Sequence, residues 1–128
     1  MTAAPTLAVT GSTGHLGGLV ARQLAGAGSP QRLLVRDIGR APELPDAVPV
    51  AVAYADPVLA AAALDGVETL LMVSASETED RLQQHCTFVD AAAAAGVRHI
   101  VYTSFFGAAA DSTFTLGRDH FATEQRIK

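Results

Sequence analysis

Three glycines carry the first chemical information in the chain. They lie in Leu7-Ala-Val-Thr-Gly11-Ser-Thr-Gly14-His-Leu-Gly17-Gly18, after an apolar run of strand length and ahead of a helical stripe. Gly11 permits a sharp turn out of the strand, Gly14 lets backbone approach a ligand with no Cβ in the way, and Gly17 lets the helix pack close to the sheet. A helix that opens at this turn presents unpaired N–H groups and a partial positive charge, which suits a pyrophosphate. Ser12, Thr13, His15 and Leu16 fill the positions between the glycines and are expected to border the same group, although His15 could equally face solvent. A bare strand-to-helix turn would also use such glycines. Their place at the first junction of a repeating strand–helix pattern favours dinucleotide binding. The spacing is Gly-x-x-Gly-x-x-Gly, distinct from the Gly-x-Gly-x-x-Gly of ordinary dehydrogenases.

The second apolar run ends Leu34-Val-Arg36-Asp37, with Arg40 one turn further on. An acid at this point commonly holds a ribose 2′-hydroxyl, whereas a guanidinium pairs a 2′-phosphate bidentately. Arg36 and Arg40 therefore argue for NADP(H) over NAD(H). Solvated arginines, with Asp37 on the hydroxyls of NAD, are the competing arrangement. After the third run, Asp56 precedes Pro57, the pattern of a helix N-cap followed by proline at the first helical position.

These groups need a scaffold, and the hydropathy pattern supplies one. Strands are expected over residues 6–10, 31–36, 48–53, 68–74 and 98–104, each rich in Val, Leu or Ile as strands buried on both faces should be. Between them run helical patterns. Leu16, Leu19, Val20 and Leu24 form one stripe, Val58, Leu59 and Leu64 a shorter one, and residues 78–95 a longer helix with Leu82, Phe88, Val89 and Ala92 to one side and Gly96 as its stop. Pro42, Pro45 and Pro49 leave the second connection irregular. The expected fold is α/β, a Rossmann-type doubly wound parallel sheet in the order 3-2-1-4-5.

Composition narrows the class. With 128 residues, 49% hydrophobic, a net charge of −4 and mean hydropathy +0.26, the chain can offset its ordering entropy by burial. No apolar run of about 18 residues calls for a membrane span, no secretory leader is visible, and nine Lys plus Arg make a poor nucleic-acid surface. The single cysteine, Cys86, allows no intrachain disulfide and is expected as a buried small residue. The four histidines lack metal-ligand spacing, so no metal site is expected. A cytoplasmic protein is the expectation.

Thr10-Gly-Ser-Thr-Gly-His-Leu-Gly17 resembles the opening of the atypical, extended-type short-chain dehydrogenase/reductases, and in particular their NmrA-like group. Val67-Glu-Thr-Leu-Leu-Met-Val-Ser-Ala-Ser-Glu77, Gln84-His85, Ala95-Gly-Val-Arg-His-Ile-Val-Tyr-Thr-Ser104 and Asp119-His-Phe-Ala-Thr-Glu124 extend the resemblance to the bacterial type 2 NAD(P)H:quinone oxidoreductases. The resemblance implies hydride transfer from NADPH to a quinone. It also implies that Asp56 lies near the adenine amino group, that Val73, Ser74 and Ala75 line the nicotinamide ribose, and that Thr103 or Ser104 sits beside the nicotinamide. The Tyr-x-x-x-Lys pair of standard members is missing: His120 stands in place of the Tyr and Glu124 in place of the Lys. His120 is thus the titratable candidate for proton donor or ring-orienting contact, against a helix histidine with no catalytic part; Glu124 could pair with it at i+4. Two alternative functions stay open, a dinucleotide sensor without turnover and a reductase of another small carbonyl compound. The family continues for about as much chain again, so residues 1–128 are expected to be a dinucleotide-binding domain without the part that covers the substrate. The fifth strand would then be an open edge able to pair with a second copy in a homodimer.

Overall fold

The computed structural model describes residues 5–73, 80–104, 108–111 and 115–128, with the side chains of residues 115 and 116 left aside. Apolar segments form β1 (Leu7–Thr10), β2 (Gln31–Val35), β3 (Ala47–Ala51), β4 (Thr69–Met72) and β5 (His99–Tyr102). They pair in parallel in the order β3-β2-β1-β4-β5, as the alternation of strands and helices requires. In register, Val9 lies beside Leu33 and Leu71, and Leu71 beside Val101. Helix α1 (His15–Gly26) follows β1, α2 (Pro57–Ala63) follows β3, α3 (Arg81–Ala95) follows β4, and α4 (Thr115–Ile127) follows β5. The proline-rich connection after β2 holds one 3₁₀ turn, Ile38–Arg40. No helix among the described residues is long and apolar enough to cross a membrane.

Two clusters cover the two faces of the sheet. Ala8, Leu34, Leu70 and Met72 meet Ala60, Leu64, Phe88, Val89 and Ala92 from α2 and α3 and the residues beside them. Leu33 and Val35 meet Ala21 of α1 on the other face. The expected stripe on α3 is buried through Phe88, Val89 and Ala92, and Leu64 is buried after α2, but the stripes on α1 and α2 otherwise differ from this packing. On α1 the buried residues are Gly17, Gly18 and Ala21, while Leu16 and Leu19 are nearly half exposed. On α2 the buried positions are Ala60 and Ala63, with Val58 and Leu59 exposed. Small side chains win in both cases because they let the helix axis approach the sheet, which turns the larger ones outward. Cys86 is half-buried on α3. Expected helical residues 78 and 79 lie outside the described residues.

β2 is buried throughout, and its two polar residues bond backbone carbonyls from within, while Gln31 Oε1 and Arg32 Nε find no partner among the described residues. Gln31 Nε2 donates to Ala21 O at 2.8 Å. Arg32 donates to Ala63 O at 3.0 Å and Asp65 O at 2.5 Å, carbonyls left over at the end of α2. β3 and β5 are the edges, and Val48 and Val101 are exposed there.

Candidate dinucleotide cleft

All five strands point their carboxyl ends the same way, and the crossover direction changes between β1 and β4. A crevice opens there for geometric reasons: the connections leave β1 and β4 toward opposite faces. It has a volume of about 460 Å³ and is lined by Thr10, Gly11, Thr13 and Gly14 after β1, by Leu34 to Asp37 and Arg40 after β2, by residues 52–55 after β3, and by Val73 and Gln84.

The turn that edges this cleft is built by its glycines. Gly11 has φ +71°, and a Cβ there would stand 3.0 Å from Val73 Cβ. At Gly17 a Cβ would fall 2.2 Å from Gly11 O and 2.8 Å from Thr10 O, so α1 starts against the backbone of the turn it follows. Gly14 N–H donates to Gly11 O at 2.9 Å, closing the turn. No side chain caps the amino terminus of α1, where Gly14 is the N-cap residue. Its first N–H groups are thus available to a ligand with the positive end of the helix behind them. Ser12 Oγ is buried in the turn with no hydrogen-bond partner among the described residues. An uncapped helix start, an orphaned hydroxyl and a turn kept clear of Cβ atoms fit a phosphate-bearing group.

Arg36 and Arg40 are exposed and line the same cleft. Asp37 Oδ1 accepts the Gly39 N–H at 2.9 Å, capping the 3₁₀ turn. Asp56 is the N-cap of α2, accepting Leu59 N–H at 3.0 Å with Pro57 next. It stands outside the cleft lining, whereas Ala55 lies within it. His15 and Leu16 are exposed and also stand outside that lining.

Tyr54 is a site residue that sequence reasoning missed. Its hydroxyl lies 2.7 Å from Val73 O and 2.7 Å from Thr10 Oγ1, and Thr10 Oγ1 accepts Val73 N–H at 2.8 Å. Two rings back it: Phe88 stacks at 4.5 Å and His85 meets it edge-on at 6.0 Å. Burial pushes its phenol pKa well up, so it stays protonated, donating to the Val73 carbonyl while accepting from Thr10. The ends of β1, β3 and β4 are thereby tied at the crevice floor. An aromatic side chain closing a strand that otherwise ends in Val and Ala was the available signal.

A second polar cluster lies between β5, α3 and α4. Tyr102 Oη is 2.5 Å from His120 Nδ1 and 3.4 Å from His85 Nδ1, which is 3.0 Å from Thr123 Oγ1. Arg81, buried on α3, pairs with Asp119 at 3.0 Å. Burial lowers the His85 pKa to about 4, with Arg81 and then His120 adding to the effect. His120 is lowered for the same leading reason, with Arg81 next. Burial raises the Tyr102 phenol, partly offset by Thr123 and Arg81. Both imidazoles are neutral at pH 7. His120 is thus a buried residue facing β5, outside the lining of the 460 Å³ cleft. Glu124 accepts a hydrogen bond from Ser104 Oγ, and Thr103 N–H donates to Met72 O at 3.1 Å across the β4–β5 ends. Ser74 and Ala75 lie outside the described residues.

The family model that matches this architecture is the NmrA-like family, over residues 3–128. The chain belongs to the NmrA-like family. It is 37% identical over 125 residues to quinone oxidoreductase 2 of Escherichia coli K12, covering 94% of this chain and 43% of that protein. To the NAD(P)H azoreductase of Xenophilus azovorans it is 37% identical over 123 residues, covering 94% and 42%. Among solved structures, the NADPH complex of the NADPH-dependent quinone oxidoreductase from E. coli superposes with TM-score 0.84 at 35% identity, covering 94% of this chain and 44% of that one. The chain spans less than half the length of these relatives.

Proposed function

We propose that this chain is the NADP(H)-binding part of an oxidoreductase that passes hydride to a quinone-type acceptor. The observation that carries the reading is the convergence on one cleft of the Gly11–Gly17 turn, with its uncapped helix, and of Arg36 and Arg40. The turn would hold the diphosphate through backbone N–H groups. Arg36 would pair the 2′-phosphate, and Arg40 would add charge on the same side. Asp37 Oδ1 caps its own turn, and the two cations beside it, Arg36 and Arg40, support NADP(H) over NAD(H). Val73, with Thr103 beside it at the β4–β5 ends, is proposed to face the nicotinamide half.

Bound NADPH would supply the hydride, and positioning is the main requirement because a quinone accepts hydride readily. His120 is the proposed source of the proton that completes reduction of the acceptor oxygen. The relatives named for quinone and azo-dye reduction support this class of reaction.

The test is titration with NADPH and NADH separately, then NADPH oxidation with a simple benzoquinone. Expected are tighter binding of NADPH, a preference that Arg36→Ala removes with about 10–100-fold weaker NADPH binding, and quinone-dependent turnover. Equal binding of both nucleotides before and after the substitution refutes the site. Binding without turnover, assayed in the full-length form that includes a substrate-covering part, would instead select a dinucleotide sensor.

A further inference from the structure

The cluster behind β5 has a hydrogen-bond polarity that its geometry fixes. Thr123 Oγ1 donates to Asp119 O one turn back, at 2.9 Å. Its only proton is therefore committed, and the 3.0 Å contact to His85 Nδ1 requires the hydrogen to sit on the imidazole. With His85 in the Nδ1–H form, the same hydrogen also faces Tyr102 Oη at 3.4 Å. Tyr102 has a single hydrogen of its own; Thr123 also hydrogen-bonds the phenol, and we assign that hydrogen to the short contact with His120 Nδ1, at 2.5 Å. His120 must then carry its hydrogen on Nε2. The direction is His85 to Tyr102 to His120.

We propose that Tyr102 is a positioning residue for proton delivery: its phenol locks His120 in the Nε2–H tautomer and refills Nδ1 when Nε2–H is given up. The proposal rests on the reading of His120 as the proton source. A neutral imidazole that releases Nε2–H alone would become an imidazolate, which is a costly species. If Tyr102 passes its hydroxyl proton to Nδ1 in the same event, His120 ends as the neutral Nδ1–H tautomer. The negative charge then resides on the Tyr102 oxygen, where the His85 Nδ1–H bonds it and the Arg81 cation faces it. One N–H and one O–H bond break, one N–H bond forms on Nδ1 and one O–H bond forms on the acceptor. A proton from water later restores the phenol. The charged and titratable groups around the pair are Arg81 and His85 on α3, Asp119 and Glu124 on α4, and Tyr102 itself on β5.

Long-range nitrogen–proton NMR of the histidine side chains reads each tautomer directly in the 128-residue chain. At pH 7 the expected result is a pure Nε2–H form for His120 and a pure Nδ1–H form for His85. Tyr102→Phe keeps the ring and removes the hydroxyl; His120 should become a mixture of both tautomers while His85 stays as it was. Thr123→Val is the companion variant, in which His120 should keep Nε2–H because Tyr102 remains. An Nδ1–H form of His120 in the unmodified chain overturns the proposal even if Tyr102→Phe fails to fold, as does a tautomer unmoved by Tyr102→Phe. In quinone-dependent NADPH oxidation, Tyr102→Phe should lower kcat by about tenfold with KM for NADPH unchanged; an unchanged kcat also overturns the proposal. Absence of turnover in a protein that joins this chain to a substrate-covering part, with the tautomers as expected, refutes the hydride-transfer reading and leaves the polarity of the cluster standing.

Discussion

Replacing Gly17 with alanine sets two calculable effects against each other. Inside a helix, Ala is favoured over Gly by about 0.8–1.0 kcal/mol, so a propensity argument alone has Gly17→Ala stabilise α1. The structure reverses the sign. The new Cβ would lie 2.2 Å from Gly11 O and 2.4 Å from Gly11 C, against ordinary contacts of 3.4 Å or more, and both neighbours are backbone. Relief therefore requires moving α1 from the turn by about 1 Å, and overpacking of this kind costs about 1–3 kcal/mol. The net expectation is destabilisation of up to about 2 kcal/mol, which lowers Tm by up to roughly 8 °C in a domain of this size. The same displacement takes the first N–H groups of α1 out of register with the Gly11–Gly14 turn, and NADPH binding should weaken at least about tenfold. Gly26→Ala is the internal control: it sits in the same helix with nothing within 4 Å of its Cβ, and it should gain about 0.5–1 kcal/mol. Thermal denaturation with and without NADPH measures both variants. A Gly17→Ala chain that melts as high as Gly26→Ala, with NADPH affinity intact, would refute the close-approach argument.

Three further outcomes follow from the same geometry. Asp56→Ala removes the acceptor of Leu59 N–H and should cost about 1 kcal/mol in urea denaturation; NADPH affinity unchanged in that variant would leave Asp56 as a cap alone. Tyr54→Phe strips Val73 O of its donor and Thr10 Oγ1 of its partner, so it should cost about 1–3 kcal/mol and weaken NADPH binding, whereas an unaffected Tm would show that the strand ends are held otherwise. For pH, the folded chain holds His85 neutral down to about pH 4, while the unfolded chain protonates it near 6.5. The unfolded state then binds more protons inside that window, so stability is full above pH 6.5, declines as pH falls toward 4 and levels off below. His85→Leu should flatten that part of the Tm-against-pH curve, and a slope equal to the parent's would reject the assignment.

The strand order and the glycine turn after β1 were legible because each rests on local chemistry. Continuous apolar runs mean strands covered on both faces, and Gly11 and Gly17 are required by a positive φ and a backbone contact that other residues cannot accommodate. The helix faces were misread where hydrophobicity and packing distance pull apart. Leu16 and Leu19 are more apolar than Gly17, Gly18 and Ala21, yet the sheet selects the small residues because α1 lies close to β1 and β2. Periodicity reports which residues avoid water, and says nothing of how near a helix can come. The contacts of Tyr54 and Tyr102 were not readable for a different reason: their partners Thr10 and His120 are 44 and 18 residues away in sequence, and only the topology brings them together.

Those two long-range contacts divide the labour at the carboxyl end of the sheet. Thr10, Tyr54 and Val73 close a triangle of hydrogen bonds at the floor of the crevice, in which every donor and acceptor is a group that burial would otherwise leave costly. A floor held in that way does not depend on a ligand to set the distance between β1 and β4, so the turn and the Arg36 side of the cleft are in place before a nucleotide arrives. The ordering cost that would fall on binding is met in folding instead. One strand further along, the Arg81–Asp119 pair stands beside two histidines that burial keeps neutral, with Tyr102 Oη near Nδ1 of both. The cleft floor and the cluster behind β5 draw on different strands but share α3, whose His85 ring meets both Tyr54 and Tyr102. Substitutions in the floor should therefore change affinity and those behind β5 the rate, and double variants across the two groups should combine additively except where they include His85, which touches both.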